Sequence, residues 1–331
     1  MRVFIEALKN GDEKTLRSAL KTCERFRTQD KEILVDPSDM LQALKPFMPA
    51  ESTTESHYES LNIIFFPPKH YLKLNLSDDH IVSMVMEEQH ASSQRYRMDF
   101  AYDGTAYLGF QRQSKTSNTI QKTIESVLDH FASDPVLIQA SGRTDKGVHA
   151  LSQTAHFDAD IKLEPARLVS LMNEMLPNDI LIKDLHTVPP VFHARFDVLQ
   201  KTYQYRICHI KDPFEHHHTH YTKPLEISML KKILEPLIGT HDFQSFSKYD
   251  AEKNTVRTIK NIKINQEKTT TYIEITADGF LRYMMRIIIG NALNDYFYGT
   301  QLVKQALDTP DKNAIKHVAP ANGLYLKQIA Y

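Results

Sequence analysis

Cysteine is scarce in this chain: there are two, Cys23 and Cys208, far apart in the sequence. That excludes a disulfide framework and a cysteine-built zinc site, and it suits a reducing compartment. Long apolar runs are missing as well. No stretch approaches about 18 consecutive apolar residues, and the N-terminus carries no run of signal-peptide type, so a cytoplasmic protein without a membrane partner is expected. Excess charge is absent too, with a net of −1. A strongly basic or acidic surface therefore cannot be read from composition. Glycine is the last scarcity: ten in all, with none between Gly11 and Gly104.

The 331 residues are enough for two or three domains, and the 41% hydrophobic and 24% charged content is that of a globular protein. Charge is spread unevenly. Residues 1–94 carry 11 basic and 15 acidic groups, against 29 and 26 in the remainder. The later part is mildly basic, which is compatible with phosphate contacts.

Residues 1–94 read as a separate N-terminal extension. Phe4–Leu8 and Leu16–Leu20 flank Asn10-Gly11-Asp12 as helix, turn and helix, and Leu61–Phe66 and Tyr71–Leu76 read as strands around Pro67-Pro68. From Tyr96 strands and helices alternate. Arg97–Tyr102 is a strand, and Asn118 or Thr119 caps a helix with Ile120, Ile124, Val127, Leu128 and Phe131 on one face. A strand begins at Val136 and another runs to Phe157, and Pro165 opens a helix that stops before Pro177. Lys201–Ile207, Thr271–Thr276 and Leu324–Ile329 read as strands, and Ile227–Ile238 and Phe280–Leu293 as helices. The class is α+β: two similar halves, 95–197 and 198–331, with mainly antiparallel sheets.

The most unusual text is Ser141-Gly-Arg-Thr-Asp-Lys-Gly-Val-His149. Two glycines bracket one aspartate, Asp145, and allow a tight turn that exposes it. Arg143 and Lys146 flank its carboxylate, and neighbouring cations favour a carboxylate's anion. An ionised aspartate in a cleft serves as nucleophile or general base. From composition alone the loop reads as an ordinary charged turn.

Arg286 stands within Met284-Met-Arg-Ile-Ile-Ile289, apolar on nearly every side. A buried arginine is costly without a carboxylate partner. Arg282 competes for that role. His216-His-His218 and His220, with His209 nearby, suggest metal ligation, but consecutive histidines cannot all face one ion. A solvated loop is the expected reading.

Gly142-Arg-Thr-Asp145-x-Gly147-Val-His-Ala150 resembles the signature loop of the TruA family of tRNA pseudouridine synthases. Other blocks follow in order: Tyr102-Asp-Gly-Thr105 through Gln113, Leu176-Pro-x-Asp-Ile180, Phe192-His-Ala-Arg-Phe196 and Lys201-Thr-Tyr-Gln-Tyr205. Gly239–Phe243, Val256–Ile259, Gly279–Arg286 and Ala319–Leu326 also fit. The resemblance covers roughly residues 95–331. Phe110 departs from it, standing where the family usually has tryptophan.

The resemblance implies the pseudouridine synthase fold with a central active-site cleft, a homodimer, and isomerisation of uridine at positions 38, 39 and 40 of the tRNA anticodon arm. It implies neither metal nor cofactor. Asp145 becomes the catalytic carboxylate, acting on the nucleotide or removing a ribose proton. Tyr203 stacks on the extruded uracil, Arg143 fills its place or binds phosphate, and Arg286 pairs with Asp145. Two other readings remain: a tRNA-binding or chaperone protein that has lost catalysis, and a metal-dependent hydrolase built on the histidines. The partner of the N-terminal extension is left unassigned.

Overall fold

The computed structural model describes residues 93–248, 254–311 and 313–331. Before them it describes 4, 7, 10–21, 23, 25–27, 33–34, 36–44, 54–58, 61–66, 70–77 and 80–88. The chain forms two compact units, Met1–Arg95 with Thr187–His193 and Tyr331, and a larger one of Tyr96–His186 and Ala194–Ala330.

In the smaller unit Gly11 takes a left-handed φ of +67°, and the Asp12 carboxylate then accepts the Thr15 N–H at 3.1 Å. That cap starts the helix Glu13–Leu20, which buries Leu16 and Leu20. The helix expected over Phe4–Leu8 lies outside the described residues except for Phe4 and Ala7, which are helical. A second helix spans Pro37–Leu44. Six strands, β1 Arg25–Arg27, β2 Ile33–Leu34, β3 Thr54–Tyr58, β4 Leu61–Phe66, β5 His70–Ser77 and β6 His80–Glu88, form a sheet in the order β2-β1-β6-β5-β4-β3. Only β4 and β5 were expected from the sequence; Pro67-Pro68 lies outside the described residues.

The larger unit is α+β. Its strands are β7 Gln94–Tyr102, β8 Gln139–Ala140, β9 His149–Ala159, β10 Ile180–Val188, β11 Gln200–Cys208 and β12 His220–Tyr221, then β13 Gly239–Asp242, β14 Val256–Glu267, β15 Thr270–Ala277 and β16 Leu324–Ala330. They make one ten-stranded sheet with a path β10-β7-β9-β16-β11-β15-β14-β13, β8 pairing with β9 and β12 with β11. Strands from both halves of the sequence thus share a sheet. They meet where β16 runs parallel to β9, Tyr325 opposite His149. From there β11 is antiparallel to both β16 and β15.

Alternation along β7 buries Tyr96, Met98, Phe100 and Tyr102 on one face. Thr119 caps the helix Ile120–Leu128 by accepting the Lys122 N–H. Ile120, Ile124 and Leu128 then reach the core, each worth about 1.5–3 kcal/mol of burial. Pro165 opens the helix Pro165–Met175, and Leu176 is extended because Pro177 follows it.

Several boundaries differ from expectation. The strand begins at Gln139 rather than Val136. The helix from Ile227 ends at Leu234 and becomes a 3-10 turn at Glu235–Leu237, since Pro236 has no N–H to continue it. The apolar helix runs Met284–Tyr298 rather than from Phe280, because Tyr283 adopts a left-handed φ of +66°.

Candidate active site

The Asp145 loop connects β8 to β9, at the edge where β9 meets β16. Its frame is hydrogen-bonded on both sides. The Ser141 N–H reaches the Thr154 carbonyl at 2.8 Å, and the Gln153 amide donates to the Gly142 carbonyl at 2.9 Å. Thr144 is buried, its hydroxyl 2.8 Å from that of Tyr102, and its carbonyl accepts the Phe110 N–H at 3.1 Å. Gly147 takes a φ of +76°, and the Val148 N–H closes the turn on the Asp145 carbonyl at 3.2 Å. Gly142 has no such backbone; a side chain, that of Lys201, closely approaches it instead. One glycine turns the chain.

Arg286 sits in the first turn of the Met284–Tyr298 helix. Its Nη1 lies 3.4 Å from Asp145 Oδ2, and the two side chains keep 14% and 25% exposure. The pair is therefore shielded yet still open to a ligand. Arg286 Nε donates to the Ala319 carbonyl at 2.8 Å, and the guanidinium stands 5.0 Å from the Tyr283 ring. These contacts aim the guanidinium independently of Asp145. Arg282, the competing candidate, is exposed and stands 5.6 Å from the Tyr283 ring.

Tyr203, on β11, is buried with its ring edge-on to Phe280 at 4.9 Å. Burial above all, then the nearby Tyr102 hydroxyl and Asp145 carboxylate, raise its phenol well beyond the usual range. It therefore stays a neutral hydrogen-bonding ring. Tyr102 is pushed up to about 12 by burial, which outweighs its contacts with Thr144 and Gln153. Arg143 is exposed on the loop, and its charge adds to burial in lowering the proton affinity of Arg195. Asp145 and Arg286 thus pair, with Tyr203 near enough for the Asp145 carboxylate to act on its phenol, whereas Arg143 is exposed on the same loop.

The histidine run divides. His216 and His217 face solvent, but His218 Nε2 lies 2.8 Å from Asp103 Oδ2, so the loop is not wholly solvated as expected. Asp103 Oδ1 also accepts from Thr105, at 2.9 Å from its N–H and 2.6 Å from its hydroxyl, and approaches buried His149 at 2.9 Å. Burial raises the Asp103 carboxyl, yet the Thr105 and His218 hydrogen bonds and His149 more than offset it, bringing it down to about 2. His149 stacks on Tyr325 at 4.6 Å, and burial lowers its proton affinity. His220 packs edge-on to Tyr205 at 6.0 Å. Among the described residues no three His, Cys, Asp or Glu side chains are placed to hold a metal ion.

Sequence reasoning missed Phe280, assigned to a helix, and the Tyr102–Thr144 bond. The alternation of β7, which places Tyr102 on its inner face, was the available signal for the second. For the first there was none, because an apolar residue beside an apolar helix looks like part of it.

A family profile described as tRNA pseudouridine synthase matches residues 100–197 and 233–331. Among curated proteins, tRNA pseudouridine synthase A of Exiguobacterium sp. is 39% identical over 241 residues, covering 72% of this chain and 98% of that one. A protein of the same name from Limosilactobacillus reuteri is 37% identical over 248 residues, covering 72% and 96%. Among solved structures, a Cbf5-Nop10-Gar1 complex aligns at a TM-score of 0.30 and 11% identity, covering 70% of this chain and 48% of that one.

Proposed function

The chain belongs to the tRNA pseudouridine synthase family, and from that premise we propose that Asp145 is the carboxylate with which it isomerises uridine in the tRNA anticodon arm. The enzyme is an isomerase acting on tRNA uridine. The observation that carries the site assignment is the convergence of the Asp145–Arg286 pair with Tyr203.

In the reaction the C1′–N1 bond of uridine breaks, the uracil turns, and C5 bonds to C1′. The C5 proton leaves and N1 ends protonated, so substrate and product are isomers. A stacked base cannot be reached in place and must be extruded. Tyr203 offers the extruded ring a flat, neutral partner already braced by Phe280. Arg286 supplies a fixed counter-charge beside the carboxylate, so Asp145 keeps its orientation while charge shifts on the nucleotide. Arg143, on the exposed side of the loop, takes the space or the phosphate left by the base. The target uridines are those at positions 38, 39 and 40.

A homodimer, a cytoplasmic setting and a division into 1–94, 95–197 and 198–331 complete the proposal. For the setting, no described helix is long and apolar enough to cross a membrane. The first 99 residues lie outside the family match.

Asp145→Asn tests the assignment against the silent tRNA-binding reading. Tritium release from tRNA labelled at uracil C5 is expected to fall by at least about 10³-fold while tRNA binding persists. Wild-type release by that variant would remove Asp145 from the chemistry. Unchanged release in EDTA is expected, and loss of activity there would favour the metal-dependent reading.

A further inference from the structure

Gly142 opens the Asp145 loop, yet its φ is not left-handed, so turning is not why it is glycine. A Cβ built there would lie 3.0 Å from Lys201 Nζ. The same Nζ donates to the Ser141 carbonyl at 2.5 Å. Lys201 belongs to β11, two residues before Tyr203 and on the same face of the strand. One side chain therefore ties the strand bearing Tyr203 to the first peptide of the loop bearing Asp145. The next carbonyl, that of Gly142, is taken by the Gln153 amide at 2.9 Å, and Gln153 also accepts the Ser141 hydroxyl at 2.9 Å.

We propose that Lys201 is a positioning residue whose ammonium, lodged between the Ser141 carbonyl and the bare α-carbon of Gly142, sets the direction in which the chain departs toward Asp145. Gly142 is the space that ammonium needs. Burial, then the charge of Arg195, lowers the Lys201 amine to about 8, as befits a cation held inside the fold rather than one reaching into solvent. Two fixed points, Lys201 and Gln153, hold consecutive carbonyls, and a loop clamped at its first peptide loses little entropy in holding its aspartate. The inference rests on the assignment of Asp145 given above.

The test is a double-mutant cycle in the full chain: Lys201→Met, Gly142→Ala and the two together, beside Asp145→Asn, with turnover and KM on full-length tRNA and the thermal midpoint recorded. Lys201→Met is expected to lower kcat about 10- to 100-fold with KM changed less than about threefold. Gly142→Ala alone is expected to lower kcat about tenfold, but by less than about twofold once residue 201 is methionine, since the methyl then meets no ammonium. Should Lys201→Met fail to fold, Lys201→Gln replaces it with the same expected coupling.

A raised KM with unchanged kcat would overturn the proposal, making Lys201 an RNA contact. So would two losses that simply multiply, or wild-type turnover by Lys201→Met. An active Asp145→Asn would instead remove the site assignment itself, which keeps the two failures apart.

Discussion

Gly290→Ala sets two opposed effects against each other. Gly290 lies on the Met284–Tyr298 helix one turn after Arg286, where alanine is intrinsically better than glycine by about 1 kcal/mol. Helix propensity alone therefore predicts a more stable protein. The surroundings predict the reverse. A Cβ at 290 would stand 2.0 Å from the His317 carbonyl oxygen, 2.5 Å from its carbon and 2.9 Å from the Ala319 nitrogen. Ordinary C···O contact needs roughly 3.3 Å, so the 317–319 backbone must retreat by about 1 Å. That backbone is bound to the helix three times: Ala319 N–H to the Arg286 carbonyl at 2.9 Å, Arg286 Nε to the Ala319 carbonyl at 2.8 Å, and His317 N–H to Asn291 at 2.9 Å. Overpacking costs about 1–3 kcal/mol and each weakened hydrogen bond about 1 kcal/mol, against the single kilocalorie gained. The net is a loss of about 3–5 kcal/mol, or roughly 6–20 °C in thermal midpoint. Arg286 moves with its acceptor, and a displacement of about 1 Å at such a group lowers turnover about 10²-fold. Calorimetry and tritium release check both. A variant at least as stable as wild type with undiminished kcat would refute the reasoning, because propensity would then have won and the backbone contact would be slack.

Two further perturbations test neighbouring contacts. Arg286→Lys keeps the charge but not the fork that serves Asp145 and Ala319 together, so kcat is expected to drop about 10- to 100-fold. Equal turnover in single-turnover assays would show that charge alone suffices. The folded-state pKa of Asp103 is about 2, below its ordinary 3.8. Its stabilisation is therefore complete above that ordinary value and lost as pH falls toward about 2. After discounting for its partial exposure the contribution is about 1 kcal/mol. The stability gap between wild type and Asp103→Asn, read from urea midpoints, is expected to narrow from about pH 5 downward. A gap independent of pH would show that the carboxylate's charge is not what holds Thr105 and His218.

What was legible in the sequence was whatever depends on residues close together or on a charge out of place. Asn118-Thr119 announced the helix because a capping side chain before an apolar periodicity has one local use, and Thr119 is the one that caps it. Arg286 announced a partner because an arginine in apolar text is costly alone. Boundaries set by one backbone angle were not legible: Tyr283 turns left-handed before Met284, and Phe280 ahead of it packs against the Tyr203 ring instead of joining a helix. Nor was the fate of His218, whose partner Asp103 is supplied by a distant strand end.

Glycine shows the same limit most sharply, and its scarcity makes the point testable. Bracketing glycines at 142 and 147 suggested one purpose, a tight turn, and only Gly147 serves it. Gly104 has the Val148 carbonyl oxygen 2.0 Å from where its Cβ would be, Gly142 has the Lys201 amine, and Gly290 has the His317 carbonyl. Each lies where a segment bearing a site residue is pressed against another: the Asp103 turn on the end of the Asp145 loop, the start of that loop on the strand of Tyr203, the helix of Arg286 on its acceptor. A methyl at 104 or 290 meets backbone and moves one element relative to its neighbour, whereas at 142 it displaces the Lys201 amine by a few tenths of an ångström; in each case the site side chains themselves stay intact. Their alanine variants should therefore lose turnover out of proportion to tRNA affinity, the signature of misplaced rather than missing groups.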